Sequence, residues 1–483
     1  MDTTAIPRPP HRLPLAGDIL GQNPRTPTQS VLQAVRDLGP IAVRKVFGSE
    51  IVTVGGAELV AELSDESRFA KHVGFHLLPL RGIIGDALFT AENNEPNWQL
   101  SHDILAPAFT REAMRGYHTI MFEVVRQLLA RWDLAADTGQ RVDVSADMTR
   151  LTLETIGRAG FGYQFAAFDR DRTHPFVTAM TRTLRYAHLS LLPPWVPVRR
   201  IVAGSARRHR ADVALMERIV DEVIQARRGG VTPEVPDLLD RMLHTAHPTT
   251  GQSLDSVNIR QQIITFVIAG HETTSGALSF ALYYLTRNPQ ALARAQAEVD
   301  ALWGSVDDPE PAFADITKLR YVRAVLDEAL RLWPTAPAYL RAARTDTVLG
   351  GRYRMNEGDW VMVLLPLLHR DPDVWPDPDD FDPDRFAPGQ AKSRPPHAYK
   401  PFGTGQRACI GRQFALHEAV MALGLLLHRY DLRPRDGYRL RIAESLTLKP
   451  QGFELLPHRR HRAATRKSST RQQVTTNPLG HSS

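Results

Sequence analysis

The clearest candidate for chemistry in this chain of 483 residues is its only cysteine, Cys409. It lies in the stretch Lys400 to Gly411, which reads KPFGTGQRACIG, and an apolar run with helical periodicity follows it. The amide N–H groups and dipole at the start of a helix favour a thiolate. The glycines let the backbone fold closely around the sulfur. A lone cysteine is more often a small core residue, but this setting predicts a functional thiolate.

A second group of reactive side chains lies within Asp255 to Arg287, a segment with helical periodicity and no proline. Its centre is apolar nearly all round, which is typical of a helix inside a large protein. There the stretch AGHETTSG places Glu272 in the interior, where an unpaired carboxylate costs several kcal/mol. Gly270 and Gly276 each weaken a helix by about 1 kcal/mol relative to Ala. Polar groups at the weakest part of the helix indicate a site, and a helix bend with satisfied side chains is the alternative.

The composition restricts the class of protein and its compartment. One cysteine excludes an intrachain disulfide and cysteine-rich zinc sites, and it fits a reducing compartment. Prolines interrupt the first twenty residues, so we expect neither a signal peptide nor a membrane anchor. A cytoplasmic location is therefore expected.

The charge distribution argues against a nucleic-acid partner. The net charge is +6, but six basic residues and no acid lie between His458 and the C-terminus, so the rest of the chain is formally neutral. This polar tail cannot bury a core. We predict one large domain over residues 1–457 and a basic, disordered tail over residues 458–483.

The elements around these residues are mainly helical. A β-hairpin is predicted for Ile41 to Val54, with its turn at Gly48-Ser49. Gly351 to Pro366 indicates further strand, and Pro372 to Pro388 indicates an ordered loop. The fold class is therefore mainly α with a minor β part. Helices are predicted to include Phe122–Trp132, Leu215–Arg227 and Ala291–Leu302.

The motif around the cysteine resembles a known one. Phe402, Gly405, Arg407, Cys409 and Gly411 match the haem-ligand signature of the cytochrome P450 superfamily at every spaced position. The resemblance implies the cytochrome P450 fold, with haem b between the long central helix and the helix that follows the cysteine.

Two further motifs support this resemblance. Glu328 and Arg331 match the family's Glu-x-x-Arg pair, and Arg385 is similar to the third member of that buried cluster. An exposed ion pair, worth about 0.2–0.5 kcal/mol, is the plainer interpretation. The stretch from Ala269 to Thr274 resembles the family's oxygen-activation motif.

Three segments narrow the resemblance to the haem domain of self-sufficient bacterial fatty-acid hydroxylases, in which a diflavin reductase is fused to that domain. The similarity covers about Pro14 to Leu456, and the sequence contains no flavodoxin-like or nicotinamide-binding segment. We therefore expect either a separate reductase or an excised haem domain. The three segments are Ile264–Leu285, Leu330–Ala338 and Pro401–Leu427.

The resemblance also assigns roles to individual residues. Cys409 is the axial iron ligand, and Ala269, Glu272 and Thr273 form the oxygen and proton-relay site. The haem contacts that it implies are Phe402, Gly403, Arg407, Gly411, Trp98, His102 and Arg341. The substrate pocket that it implies is lined by Phe89, Ala269, Thr273, Ala336 and Ala338.

The substrate is less constrained. The fatty-acid hydroxylases hold the carboxylate with an Arg and a Tyr, and these positions fall on Ser49 and Thr53, neither of which replaces a charged clamp. Arg44 or Lys45 could do so, but solvated strand residues are the favoured interpretation. The apolar stretch Leu189 to Val198 indicates a lipophilic substrate, either a fatty acid or a terpenoid or polyketide.

The expected activity is monooxygenation with O2 and an external electron donor. That donor is a ferredoxin or flavodoxin with its reductase, or a diflavin reductase. A peroxygenase is one alternative, but similar peroxygenases place Arg-Pro where Glu272 and Thr273 stand. A haem-binding sensor is the other, although binding alone needs no proton relay.

Overall fold

The computed structural model describes residues 1–14, 16–169, 174–190, 204–230 and 236–460. Helices dominate the described chain, as predicted, and none of them combines the length and apolar character needed to cross a membrane. The helices are α1 Pro27–Val35, α2 Ala57–Leu63, α3 Gly74–Ile84, α4 Pro96–Leu105, α5 Arg111–Thr138, α6 Val144–Phe161, α7 Pro175–Ser190, α8 Ala206–Arg228, α9 Leu238–His244, α10 Ser256–Arg287, α11 Pro289–Trp303, α12 Phe313–Ile316, α13 Arg320–Leu332, α14 Leu365–Leu368, α15 Pro388–Ser393 and α16 Arg412–Arg429.

The strands form small sheets at the edges of the helical body. The largest has the order β1-β2-β8-β5-β3, in which β2 and β8 are parallel and the other neighbours are antiparallel. Smaller sheets pair β10 with β11, β6 with β7, and β4 and β9 with β12. The strands are β1 Ile41–Val46, β2 Ser49–Val54, β3 Phe69–His72, β4 Val142–Asp143, β5 Ala338–Ala343, β6 Thr347–Leu349, β7 Tyr353–Met355, β8 Trp360–Leu364, β9 Tyr430–Pro434, β10 Ile442–Glu444, β11 Leu448–Pro450 and β12 Glu454–Arg459.

The structure confirms the predicted helices, the long central helix α10 and the hairpin over Ile41 to Val54, but the hairpin turn lies at Phe47 and Gly48, one residue before the expected position. Asp255 caps α10, because its side chain accepts a hydrogen bond from the amide of Asn258 at 2.8 Å. The strand prediction over Gly351 to Pro366 holds only for β7 and β8, which residues 356–359 separate, and it is wrong at its end, since β8 stops at Leu364 and α14 begins. Proline is tolerated in the first turn of a helix, where its missing N–H has no partner to lose.

The weakness expected at the glycines of α10 does not interrupt the helix, which is continuous from Ser256 to Arg287. A Cβ at Gly276 would lie 2.6 Å from the carbonyl oxygen of Leu448. A Cβ at Gly270 would lie 3.1 Å from a side-chain carbon of Ile156. These glycines instead let α6 and β11 approach α10 closely, which is a packing requirement that helix propensity does not reveal.

Strand β12 continues through Arg459, beyond the expected boundary at residue 457, and Arg460 forms an ion pair with Asp300 at 2.7 Å. The rest of the predicted tail, residues 461–483, lies outside the described residues. So does most of the apolar stretch from Leu189 to Val198. The predictions for these segments remain predictions.

The Glu-x-x-Arg pair on α13 is fully buried, so the interpretation as an exposed pair is wrong. The Nε and Nη2 atoms of Arg331 lie 2.7 and 2.8 Å from the two carboxylate oxygens of Glu328. The remaining guanidinium N–H groups donate to backbone carbonyls at 2.7–2.9 Å. Those carbonyls belong to His369, Pro378 and Asp380.

Arg385 joins this pair, as the resemblance implied. Its Nε lies 3.5 Å from Glu328 Oε1, which also accepts a hydrogen bond from the amide of Asp382 at 2.9 Å. The cluster therefore ties the loop between α14 and α15 to α13.

We predict that Arg331→Leu lowers the free energy of unfolding by about 3–5 kcal/mol, because it leaves the Glu328 carboxylate buried without its main partner. Urea denaturation followed by circular dichroism measures the change. Arg294→Leu is the matched control, because the ion pair between Arg294 and Asp384 is about half exposed on both sides and should contribute at most about 1 kcal/mol. Equal losses in the two variants would contradict the prediction.

Candidate active site

The cysteine loop is shaped by backbone that only glycine adopts easily. Gly403 and Gly405 have φ of 72° and 66°, in the left-handed region. A Cβ at Gly405 would also lie 2.3 Å from a carboxylate oxygen of Glu66. The loop closes where the amide of Cys409 donates to the carbonyl of Phe402 at 2.8 Å. These contacts fix the direction in which the thiol points.

Helix α16 begins immediately after the loop, with Gly411 as its N-cap residue. The amide of Gly411 and the charge of Arg412 lower the pKa of the Cys409 thiol, but burial raises it by more. Burial thus outweighs the expected preference of the helix end for the thiolate. The thiol is nevertheless accessible. Protein atoms surround the Cys409 side chain, yet it has accessible surface, so we infer that it faces an interior space.

The long helix α10 borders such a space as well. Ala269 is exposed although the residues from Ile263 to Ile268 are buried. The rings of Phe109 and Phe266 lie between Ala269 and the cysteine loop. Phe109 lies 3.8 Å from the position of a Cβ on Gly411, and it stacks on Phe266, one turn before Ala269, at 5.8 Å. We infer that Ala269 and Cys409 face one interior space from its two sides.

The other predicted pocket residues have accessible surface too. Ala336 is exposed just before β5, and Ala338 and Phe89 are half-buried. Thr273 is half-buried one turn after Ala269, and its hydroxyl donates to the Ala269 carbonyl at 2.9 Å. This accessible surface is compatible with the pocket that the resemblance implies, and the pocket itself stays a prediction.

Glu272 is buried, but it has a partner that the sequence did not suggest. The hydroxyl of Thr447, in the turn between β10 and β11, donates to Glu272 Oε2 at 3.1 Å. Thr447 lies 175 positions away along the chain, and the close approach of β11 to Gly276 brings it there. No local pattern announces such a contact. A buried acid with a hydroxyl partner, next to Thr273, is an arrangement that can hold and pass on a proton.

A set of cations lies near Phe89. Arg407 donates to Asn93 Oδ1 at 2.9 Å and to the carbonyls of Leu88 and Ala91 at 3.2 and 2.7 Å. Burial lowers its pKa to about 10. The guanidinium therefore sits largely desolvated among neutral acceptors, where it attracts anionic groups.

The guanidinium of Arg407 also lies over the Trp98 ring, 4.6 Å from its centroid, as a cation–π contact. Trp98 and His102 stack with centroids 5.3 Å apart, so the prediction that they share one helical face is confirmed. His102 Nδ1 lies 3.2 Å from a carboxylate oxygen of Asp103. The structure thus brings Arg407, Trp98 and His102 together.

Arg341 is buried and donates from Nε and Nη2 to the carbonyls of Leu63 and Phe69, both at 2.8 Å. These bonds use two of the five guanidinium N–H groups and give Arg341 a structural role at β3. Its contact with haem stays a prediction.

Lys71 is a functional candidate that sequence reasoning missed. Its ammonium donates to the carbonyl of Phe89 and lies 5.5 Å from the Phe89 ring centroid. Burial and then the charge of Arg407 lower its pKa well below the usual value. An ammonium held close to a second cation is suited to an incoming carboxylate. The sequence did carry one signal for this. Lys71 follows the apolar Phe69 by two residues on β3, and alternate residues of a strand lie on the same face.

These residues fit haem. An iron porphyrin brings its own nitrogen ligands, so it needs one protein ligand, an apolar slot and cations for its two propionates. Cys409, the wall around Ala269, and the pair Lys71 and Arg407 supply these. Within the described ranges, no group of three or more His, Cys, Asp and Glu side chains could hold a bare metal ion.

Comparison with known proteins agrees with this geometry. The family model for cytochrome P450 matches residues 7–457. A bifunctional cytochrome P450/NADPH–P450 reductase of Bacillus cereus is 45% identical over 94% of this chain and 42% of its own length. A second such protein, of Bacillus subtilis, is 46% identical over 90% of this chain and 41% of its own length.

A self-sufficient cytochrome P450 monooxygenase of Phanerodontia chrysosporium is 38% identical over 93% of this chain and 42% of its own length. The chain therefore spans well under half the length of these curated relatives.

We predict that Arg407→Leu weakens haem retention, because it removes a buried cation that would face the propionates. Transfer of haem to an excess of apomyoglobin measures the dissociation rate, which should rise about tenfold or more, as expected for a lost charge-assisted hydrogen bond. Gln406→Ala is the control, because Gln406 is exposed and adjacent to Arg407 in the chain, and it should leave the rate of haem dissociation unchanged. An unchanged rate in Arg407→Leu would remove this residue from the haem site.

Proposed function

The chain belongs to the cytochrome P450 family, and on that premise we propose that it is a haem-thiolate monooxygenase that inserts one oxygen atom of O2 into a C–H or C=C bond of a lipophilic small molecule. The observation that carries the proposal is the single thiol, Cys409, facing the interior space that Ala269 also borders. An acid and an alcohol, Glu272 and Thr273, lie on that same helix.

The cofactor is proposed to be haem b, which when bound supplies dioxygen activation that the electron-donating thiolate promotes. The chain supplies the rest. Cys409 holds the iron, and Phe402, within the same loop, packs near the sulfur. Arg407 and Lys71 orient the propionates by charge. Trp98 gives them a flat, rigid neighbour.

The proton path is proposed to run from Thr447 through Glu272 to Thr273. In this path the Glu272 carboxyl, which accepts a hydrogen bond from the Thr447 hydroxyl, relays the proton to Thr273. The Thr273 hydroxyl now donates to the Ala269 carbonyl, and a rotation about χ1 redirects it to the interior space. Thr residues in helices populate two χ1 rotamers, so this rotation costs little.

The proposed substrate class follows from the pocket walls. Ala269, Ala336, Ala338 and Phe89 offer apolar surface, which suits either a fatty acid or a terpenoid or polyketide. Electrons are proposed to come from a separate donor, a ferredoxin or flavodoxin with its reductase or a diflavin reductase. Both Bacillus relatives are named bifunctional cytochrome P450/NADPH–P450 reductases, which supports a flavoprotein donor.

We predict that Cys409→Ser abolishes the red-shifted Soret peak that the reduced haem protein gives with carbon monoxide, since that peak reports thiolate ligation. The parent chain should show it after reduction with dithionite. Absorption spectra of the two proteins, each loaded with haem to the same extent, make the comparison. A parent chain without the peak, or a variant that keeps it, would refute the proposed function.

We predict that Thr273→Ala diverts reducing equivalents from product to hydrogen peroxide, because the hydroxyl no longer supplies a proton at the oxygen site. The ratio of peroxide formed to NADPH consumed, with a surrogate reductase, should rise severalfold, because a positioned general acid typically contributes about 10²- to 10⁴-fold to the rate of its step.

The control for this variant is Thr265→Ala. Thr265 makes the same kind of bond to the carbonyl four residues earlier, on the same helix, two turns before Thr273. The Thr265→Ala variant should keep the parental ratio of peroxide to NADPH.

A peroxygenase is the alternative function. Product formation with hydrogen peroxide alone that is as fast as product formation with NADPH and a reductase would favour it.

A further inference from the structure

The chain between α3 and α4, residues 85–95, forms neither helix nor strand, so side chains from other elements must hold it in place. The carbonyls of residues 88 to 91 each accept a hydrogen bond from a half-buried cationic side chain. The donors are Arg407 for residues 88 and 91, Lys71 for residue 89, and Arg81 for residue 90. Four successive carbonyls therefore point to one group of positive charges.

These cations cannot fix the segment by themselves. Lys and Arg side chains have many rotamers, and Arg407 and Lys71 are also the proposed partners of the haem propionates. A second kind of contact comes from α10. The amide of Leu88 donates to Oε1 of Gln262 at 3.2 Å, and Gln262 is fully buried in that helix. This bond ties the irregular segment to a rigid element.

The side chain of Gln262 is itself held in one orientation. Its Nε2 donates to Ser101 Oγ at 2.9 Å and to Asn258 Oδ1 at 3.2 Å. Ser101 Oγ donates to the same Asn258 oxygen at 3.1 Å. Because a backbone amide only donates, Oε1 must be the atom that faces Leu88, and Nε2 must face the other two side chains. The acceptor offered to Leu88 is therefore pre-set.

The position of Gln262 on α10 links this contact to the interior space. Gln262 precedes Ala269 by seven residues, a spacing that drifts by only about 20° around a helix, so both lie on one side of α10. They are about 10 Å apart along the axis. Ala269 borders the interior space, so the segment lies against the same side of the helix. A shift of Leu88 must move the next residue, Phe89, which belongs to the proposed pocket.

We propose that Gln262 is a positioning residue for the pocket. By accepting the Leu88 amide it fixes residues 85–91 against α10, and it thereby sets the place of Phe89 and decides which ligands fit beside the iron. The inference rests on the proposed haem-thiolate function. Gln262→Met is the direct test, because Met has a similar length and offers the amide of Leu88 no comparable acceptor.

The first measurement is amide hydrogen exchange in the full chain, which needs no catalytic turnover. In Gln262→Met the amide of Leu88 should exchange faster by about threefold to tenfold, as expected for one lost hydrogen bond. Mass spectrometry of peptides that cover residues 85–91 reports the change. Parental exchange at Leu88 in this variant overturns the inference.

The second measurement compares two ligands that bind haem iron through a ring nitrogen, imidazole and the larger 4-phenylimidazole. The shift of the Soret band gives each dissociation constant in the haem-loaded full chain. Gln262→Met should weaken 4-phenylimidazole by about threefold to tenfold, because the larger ligand must now order the segment that forms its pocket. Imidazole needs no such wall, and its dissociation constant should stay within about twofold of the parent's.

Ser101→Ala is the matched control. It removes another hydrogen bond of the same buried amide and leaves the bond to Leu88 in place. It should lower the melting temperature about as much as Gln262→Met does, but keep the parental exchange at Leu88 and the parental ratio of the two dissociation constants. A ratio that changes equally in both variants overturns the inference.

Two further substitutions of Gln262 separate positioning from folding. Gln262→Glu keeps an acceptor oxygen at the same reach and should retain most of the parental ratio. Gln262→Asn withdraws the acceptor by one methylene group and keeps an amide. It should therefore change the ratio as Gln262→Met does, and it replaces that variant in the test if Gln262→Met does not retain haem.

A double-mutant cycle tests whether Gln262 acts through Phe89. In a Phe89→Ala background, Gln262→Met should no longer change the ratio of the two dissociation constants, because the ring that it positions is absent. A change in the ratio as large as in the parent background overturns the inference.

The two proposals fail in different ways. A chain that gives the red-shifted Soret peak with carbon monoxide, and whose two ligands respond equally to Gln262→Met, loses this positioning residue and keeps the proposed function. A chain that lacks that peak loses the proposed function itself, and with it the pocket that Gln262 is proposed to shape.

Discussion

A sulfur atom that is to carry negative charge inside a protein needs compensation, because burial favours the neutral thiol. In this chain, burial outweighs the helix-end amide of Gly411 and the charge of Arg412, and the pKa of Cys409 is raised. In the proposed haem protein the remaining compensation would come from the bound iron, because a metal ion deprotonates a coordinating thiol outright. The protein's task is therefore to hold the sulfur in place and leave room for the group that carries the metal.

The structure meets these two needs with different means. Rigid backbone holds the sulfur, since Gly403 and Gly405 occupy conformations that other residues avoid. Small side chains leave the room, since Ala269 is exposed in the middle of an otherwise buried helix. The desolvated cations Arg407 and Lys71 lie beside that space rather than at the sulfur, where they suit acidic groups at the edge of a planar ligand.

The parts of the site that the sequence predicted are those set by local pattern. Helix α10 followed from its periodicity and its Asp255 cap, and the cysteine loop from its glycines. The contact between Thr447 and Glu272 could not be predicted, because it depends on packing that brings distant segments together. Arg44 is only 4% exposed, so its interpretation as a solvated strand residue is wrong, and its burial escaped prediction for a related reason. Arg44 and Lys45 are adjacent on a strand, and the sequence alone does not show which of the two faces of that strand is covered by other elements.

The buried Glu-x-x-Arg cluster and the cysteine loop belong to one network. Arg331 donates to the carbonyl of His369, and the Nε2 atom of His369 accepts a hydrogen bond from the amide of Lys400 at 2.9 Å. Burial, and then the charge of Arg331, lower the pKa of His369 to about 3. The imidazole therefore stays neutral at any ordinary pH, and Nε2 remains an acceptor.

This network explains why a fully buried ion pair is kept where apolar side chains could pack at lower cost in desolvation. Glu328 fixes the guanidinium of Arg331, and the fixed guanidinium orients the backbone at His369. His369 in turn anchors Lys400, the residue that opens the cysteine loop and whose carbonyl accepts the amide of Gly403 at 3.0 Å. An apolar replacement could fill the same volume, but it could not transmit a direction through successive hydrogen bonds. The position of the sulfur is thus set by an ion pair on another helix, through directed contacts.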